Sequence, residues 1–490
     1  MNKICLKIAS LILISGFLSI NVYRAATQSI TIDEANTYLA FVQPPLLQIL
    51  TTYDANHHVL HSLLCKATTS LFGVSEFTLR LPSLAGGLLY CFCAFQICRL
   101  LLGDRWTSLL CLSVLILNPL TLDFSSLARG YSLGLGFLFL GVLGLLRQLR
   151  ANSAKFSRWK LALCGVSLGL SISSVLTFVF PVAASVCVFA IPALRHAHDI
   201  YKQRIADVAA LGGSAVVVAF IVNLGPLSQA APGSFVIGFG SLFETLKNSL
   251  FPFLQNHPSE FVFFRWRIYP LIWLYPASRI AVFLILIMAA VLLGAQAVKR
   301  TRFLRSETCF LSALLIATIA LLVAAHRCFG IPYPVARTAI YAGPLLVLAI
   351  AAMLRDLSTG SKLRFVWVPF GALEVLLFAQ FIAQLDVTYY GHWPFDAGTR
   401  PIARFLATQP ATPRPTRIIA TWTLRSCLNF YREMYRLTEW APVESPNGDT
   451  TLVSGDYVVF DGASAASMPH ERFTSIFVDQ LTGAVVATHR

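Results

Sequence analysis

ICLKIASLILISGFLSINV, residues 4–22, carries a single charge, Lys7, and is followed about ten residues later by the pair Asp33-Glu34. A helix needs about 20 apolar residues to cross the hydrocarbon core of a bilayer, and this stretch has that length. It is too long for the apolar part of a signal peptide. Val22-Tyr23-Arg24-Ala25-Ala26 is also a poor small-residue cleavage site, so the segment reads as a retained first span.

The same pattern recurs outward from it. Apolar runs near 82–101, 106–121, 131–148, 160–177, 178–194, 207–225, 271–297, 309–326, 338–354 and 365–385 bring the expected number of spans to eleven. No charge separates the two runs that meet at Val175 to Pro181. Composition agrees: 56% of the 490 residues are hydrophobic and 12% charged, with a mean hydropathy of +0.68. Soluble domains carry about 25% charged residues. The net charge of +15 does not point to nucleic acid, because the basic residues sit in short clusters between apolar runs. Most of the eleven cysteines lie inside those runs as small hydrophobes, and no Cys-x-x-Cys occurs.

Alternate loops differ in charge. Lys3 and Lys7, Arg99 and Arg105, the 147–160 cluster, Arg195 to Arg204, Lys299 to Arg305 and Arg355 to Arg364 together hold nineteen of the 38 basic residues, mostly in short loops. The positive-inside rule places this set in the cytoplasm with the N-terminus. Residues 386–490 then follow an odd number of spans and lie outside. That tail has Pro-rich punctuation (Gln409-Pro-Ala-Thr-Pro-Arg-Pro) and short alternating runs such as Thr416 to Thr421 and Asp456 to Phe460, which read as a small α/β domain. The expected architecture is an α-helical polytopic membrane domain, 1–385, with an outer loop at 23–81, and a soluble extracytoplasmic α/β domain, 386–490.

Every residue with chemical promise falls on the outer side. Adjacent carboxylates at Asp33 and Glu34 are costly beside lipid and need a cation, a metal or water. On a helix or strand they diverge, so one of them, Asp33, is expected to face a reaction centre as a general base. In Asn56-His57-His58-Val59-Leu60-His61, His57 and His61 stand four apart, on one helical face if the segment is helical. That suits a metal, a head-group contact or a groove for an anionic lipid. Arg80, before Pro82-Ser83 at the mouth of the second span, reads as a head-group anchor or a phosphate ligand. Arg129, followed by Tyr131, has the same two readings, and Asp123 upstream is a partner for Arg129 or a second acid. Arg337 and Tyr341, four apart, share a helical face if the tenth span begins there.

These residues resemble the GT-C-type glycosyltransferases that use polyprenyl-phosphate sugars. That superfamily includes the protein O-mannosyltransferases and the bacterial transferase of aminoarabinose to lipid A. The carriers are Asp33-Glu34, Asn56-His57-His58, the stretch Gly73-Val-Ser-Glu-Phe-Thr-Leu-Arg80-Leu-Pro-Ser83, Asn118-Pro119, Ala128-Arg129-Gly-Tyr131, and Arg337 with Tyr341 and Pro344. The resemblance implies a bacterial plasma (inner) membrane enzyme that transfers a sugar from a lipid-phosphate donor to an envelope acceptor: lipid, glycan or protein. Asp33 would be the base and Glu34 its support. His57, His58, Arg80, Arg129, Tyr131, Arg337 and Tyr341 would bind the substrate or its lipid phosphate. A divalent cation, if used, would draw on Asp33 or Asp123. The chain departs from many relatives at His58-Val59, where they carry proline after the histidine. The competing class is a polytopic transporter or lipid flippase, for which mid-span charge is confined mainly to Glu374.

Overall fold

A computed structural model describes residues 3–151, 156–195, 201–231, 306–358, 367–383, 385–410, 415–446 and 456–489, with short stretches between 238 and 294. Most of the expected span at 271–297, most of the 226–270 loop, the Lys299 to Arg305 cluster and the proline punctuation at 411–414 lie outside these. In chain order the helices are α1 (Lys3–Thr27), α2 (Ile32–Thr37), α3 (Leu46–Thr51), α4 (Val59–Phe72), α5 (Glu76–Leu102), α6 (Trp106–Ile116), α7 (Pro119–Ser126), α8 (Tyr131–Arg150) and α9 (Arg158–Ser174). They continue with α10 (Val179–Arg195), α11 (Tyr201–Ser228), α12 (Ser306–Phe329), α13 (Ala342–Ser358), α14 (Trp367–Ala383), α15 (Thr399–Ala407), α16 (Trp422–Met434) and α17 (Gly462–Ala465).

Residues cluster into two compact units. The first comprises Met1–Asn21, Leu50–His61 and Pro82–Leu385; the second comprises Val22–Ile49, Ser62–Leu81 and Asp386–Arg490. The tail therefore shares a unit with much of the first outer loop, where the sequence suggested one boundary at 385.

The first unit is helical, and the protein is a membrane protein. Among the described residues six helices are long and apolar enough to cross a bilayer: α1, α5, α8, α11, α12 and the run Ala336–Ser358. The run read as one span at 106–121 is a bent pair: α6 and α7 meet at 62°. The cause is local. Asn118, ahead of Pro119, is extended (φ −132°, ψ 146°), as a residue before proline prefers, and its side chain caps α7 through the Thr121 N–H. The runs at 160–177, 178–194 and 365–385 form helices α9, α10 and α14 of 17 residues each. Between the first two, Val175 is extended and Leu176–Phe178 is a 3-10 turn, so the chain breaks there without any charge. Helix α9 crosses α11 closely at Gly165 and Gly169. A Cβ on Gly165 would meet the Leu211 carbonyl oxygen at 2.1 Å, and one on Gly169 the Ala215 oxygen at 2.6 Å. Small residues four apart let backbones approach where lipid supplies no hydrophobic drive.

Strands β1 (Val262–Phe263) and β2 (Trp266–Arg267) of the first unit pair antiparallel. The second unit is built on a four-stranded sheet of β3 (Ile418–Ala420), β4 (Tyr457–Phe460), β5 (Phe473–Val478) and β6 (Val485–His489), in the order β3-β4-β6-β5. Strand β3 runs parallel to β4, with Ile419 opposite Val458. Strands β6 and β5 continue it antiparallel. Helix α16 packs against β3, against α2 and against the π-helical turn Tyr38–Val42 that follows it, where Phe430 meets the Tyr38 ring edge-on at 5.1 Å. The tail thus carries the helix that bears Asp33.

Candidate functional site

In the second unit, helix α2 begins with a capping box: the Glu34 N–H donates to Thr31 Oγ1 (3.4 Å), and the Thr31 N–H to Glu34 Oε2 (2.9 Å). The same carboxylate takes Arg80. The guanidinium donates from Nε to Oε1 (2.8 Å) and from Nη2 to Oε2 (2.7 Å), and neither side chain is exposed. Its remaining N–H groups go to the carbonyls of Ala25 (3.2 Å), Gln28 (2.7 Å) and Ser29 (2.8 Å). A guanidinium has five N–H donors, and all five are engaged inside the protein. Arg80 is therefore a buried organiser of the turn that leads into α2, not an anchor at the head groups. Helix α5 also starts six residues earlier than the Pro82 reading placed it, so that Arg80 lies within the helix and Pro82 inside it.

Residues from the tail hold the same turn. Tyr431 Oη accepts from the Ile30 N–H (2.9 Å), Asp396 Oδ2 from the Ile32 N–H (2.7 Å), and Ser29 Oγ donates to the Ala397 carbonyl (2.6 Å). Arg400 pairs with Glu76 (2.8 Å) and donates to the Thr27 and Gln28 carbonyls. Tyr390 lies under the guanidinium of Arg24 at 4.7 Å and of Arg80 at 5.3 Å. Asp33 and Glu34 diverge as neighbours on a helix must: Glu34 is buried against Arg80 and Asp33 is half-buried. Burial pushes the Asp396 carboxyl well above the usual carboxylate range, and the charges of Asp33 and Glu34 push it further. Sequence reasoning missed Asp396, Tyr431 and Arg400, because nothing in the tail marks them until the fold sets them beside residues 27–32.

In the first unit, Asn56, His57 and His58 precede α4, so His57 and His61 do not share a helical face. The Asn56 N–H donates to Asp54 Oδ1 (2.7 Å), closing the turn just ahead of the two buried histidines. His57 Nδ1 lies 3.1 Å from the Thr52 carbonyl, which can only accept, so that nitrogen carries the proton. His61 Nε2 meets Ser83 Oγ at 3.0 Å, and Ser83 Oγ donates to the Arg129 carbonyl at 3.0 Å. A hydroxyl has one proton to give, so His61 donates through Nε2. Arg129 is buried, with Nη2 donating to Asn56 Oδ1 at 2.6 Å. The His58 ring stands edge-on to Tyr131 at 5.0 Å, and its Nε2 has no hydrogen-bond partner among the described residues.

All three histidines are held neutral. Burial pushes the His57 imidazole down to about 4 and the His61 imidazole to about 3, and His58 well below its ordinary value. The Arg129 charge acts in the same direction on each, and Arg337 adds to it at His58. Arg337 lies on the 3-10 turn Ala336–Ala339, and Tyr341 in the turn before α13, so the expected shared α-helical face is not formed. Tyr341 is buried against Phe178 (5.2 Å), and its hydroxyl finds no partner among the described residues. Asp123 is buried on α7. Among the described residues no three His, Cys, Asp or Glu side chains converge as ligands for a metal ion. A desolvated guanidinium among neutral imidazoles repels a cation and suits an anion with several oxygens.

No protein-family model matches the chain, and no curated protein does. Solved structures do. ArnT from Cupriavidus metallidurans bound to undecaprenyl phosphate has a TM-score of 0.54 at 11% identity, covering 97% of this chain and 97% of that one. Its apo state gives 0.52, with the same identity and coverage. An oligosaccharyltransferase from Archaeoglobus fulgidus in complex with Zn and sulfate gives 0.47 at 13% identity, covering 92% and 68%. The chain has the fold of the GT-C glycosyltransferases.

Proposed function

We propose that the protein is a membrane glycosyltransferase that moves a hexosyl or pentosyl group from a polyprenyl-phosphate carrier to an envelope acceptor on the extracytoplasmic face of a bacterial inner membrane. In this reading the chain crosses about eleven times, with the N-terminus in the cytoplasm and residues 386–490 outside. The observation that carries it is the buried Arg129, with His57, His58 and His61 held neutral beside it. That arrangement keeps positive charge where a leaving phosphate gathers negative charge. The ArnT bound to undecaprenyl phosphate shares this fold.

Asp33 takes the proton of the acceptor hydroxyl as its oxygen bonds to the anomeric carbon. The bond from that carbon to the phosphate oxygen breaks, and the phosphate departs with the electron pair. Arg129 and Arg337 stabilise the departing charge, and His58 and Tyr341 supply further polar atoms to the phosphate. Glu34 and Arg80 act at one remove, by fixing the turn that presents Asp33. A transporter would centre instead on Glu374, but its carboxylate accepts a hydrogen bond from Ser113 of α6, which gives it a structural partner.

The test uses the full chain in lipid nanodiscs with labelled undecaprenyl-phosphate sugars and fractionated envelope acceptors. Asp33→Asn should lower transfer at least about 100-fold while retaining undecaprenyl phosphate. Arg129→Gln should weaken retention of that lipid by roughly 10- to 100-fold. Wild-type transfer by Asp33→Asn sinks the base; unchanged retention by Arg129→Gln sinks the phosphate site.

A further inference from the structure

Apart from these groups, the start of α1, the last turn of α5 and the start of α6 line a small open recess. Its polar lining is Lys7, Ser10, Arg99, Asp104, Arg105 and Ser108. The turn that builds it is sharp. Gly103 ends α5 at φ +73°, where a side chain would be strained, and its N–H returns to the Arg99 carbonyl (2.9 Å). Arg105 is extended at the start of α6, and its side chain is exposed at the recess.

Cations dominate here. Arg99 Nε meets Asp104 Oδ1 at 2.8 Å, with the two side chains 34% and 23% exposed. The Arg99 hydrogen bond, with the charges of Arg99, Lys7 and Lys3, holds the Asp104 carboxyl below its ordinary value. Asp104 thus answers Lys3, Lys7 and Arg99, and Arg105 stands in the same lining. Arg150 adds to the same end by donating to the Leu100 carbonyl at the close of α5, while Arg355, which donates to the Leu101 carbonyl, is already paired with Asp356 at 2.7 Å. An exposed ion pair contributes little, so Asp104 is a weak competitor for an incoming anion.

Two features set the depth and the chemistry of that anion. Trp106, half-exposed beside the recess, stands edge-on to Trp367 at 6.1 Å, as aromatic residues do at a membrane interface. From the recess, Ile4, Ile8, Leu11 and Ile12 form an exposed apolar stripe down one face of α1, each more than half exposed. A water-soluble anion has no use for such a stripe; acyl chains do. Basic pockets between helices at the membrane surface bind anionic head groups.

We infer that this recess binds an anionic phospholipid, with its phosphate among Lys7, Arg99 and Arg105 and its chains along α1. The site is independent of the glycosyl-transfer reading and needs no sugar donor. The full chain, delipidated in detergent, is titrated with phosphatidylglycerol and with phosphatidylcholine, and bound lipid is counted by native mass spectrometry. Phosphatidylglycerol should bind roughly tenfold more tightly than phosphatidylcholine. In Lys7→Gln/Arg99→Gln that preference should shrink to about twofold or less, whereas Lys7→Arg/Arg99→Lys should keep most of it. Arg105→Gln, at an exposed position, should show a smaller loss in the same direction and guards against misfolding of the double variant. Equal binding of both lipids by the native chain overturns the proposal, as does an undiminished preference in the Gln variants. Displacement of the lipid by millimolar inorganic phosphate would mark a free-anion site and overturn it too.

Discussion

Arg80 and Glu34 meet as a bidentate pair, at 2.8 and 2.7 Å, with neither side chain open to solvent. The pair joins two segments 46 residues apart and fixes the chain just ahead of Asp33.

Breaking it should be expensive. Glu34→Gln leaves a buried guanidinium without its counter-charge, and a loss of about 3–5 kcal/mol is expected. Replacing both partners by apolar residues often restores stability at buried pairs. Here Arg80→Met/Glu34→Met should stay destabilised, because the Ala25, Gln28 and Ser29 carbonyls lose their donor. Thermal unfolding in detergent measures both; a double variant that melts with the native protein would contradict this account.

Asp396 and Tyr431 should act on the Asp33 turn through two backbone amides. Tyr431→Phe strips the Ile30 N–H of its acceptor and should make local opening easier by about 1–3 kcal/mol. Asp396→Leu should do the same at Ile32, whereas Asp396→Asn keeps an oxygen that can accept. Hydrogen exchange across residues 29–33 reads the effect directly. Identical exchange in the Leu and Asn variants would remove Asp396 from this role.

The histidines predict loss of stability in acid. Their folded-state values lie below the unfolded value of about 6.5, so below that pH the unfolded chain binds more protons. Stability is complete above about 6.5 and declines as pH falls toward about 4 at His57 and about 3 at His61. The slope is at most about 1.4 kcal/mol per pH unit for each histidine. Asp396, raised when folded, works in the opposite sense but is common to any histidine variant and its parent. The melting temperature should therefore fall less between pH 7.5 and 5 in His61→Gln than in the native protein; parallel curves would show that His61 is not neutral and buried.

Gly130 should tolerate no side chain. A Cβ there would meet the Ser174 carbonyl oxygen at 2.1 Å and His58 Cβ at 3.1 Å. Backbone cannot step aside cheaply, so Gly130→Ala should cost about 1–3 kcal/mol and shift both Arg129 and His58. A loss of undecaprenyl phosphate retention larger than the loss of stability explains would tie the two. Native stability and retention together would refute the close approach.

What the sequence determined is what hydrophobicity and charge encode locally. Runs such as 4–22, 131–148 and 309–326 announce membrane helices because a bilayer demands length and apolarity whatever the neighbours are, and α1, α8 and α12 follow them. The motifs around Asp33, His57 and Arg129 stood out because ionisable groups are rare in such a chain. Tertiary structure decided the rest, since a charge's role depends on partners that sequence spacing does not reveal. Arg80 looked like an anchor until five acceptors closed around it, and His57 and His61 seemed to share a helix that starts only at Val59. Asp396 and Tyr431 gave no sign at all, because a hydrogen bond spanning some 360 to 400 residues exists only once the chain has folded.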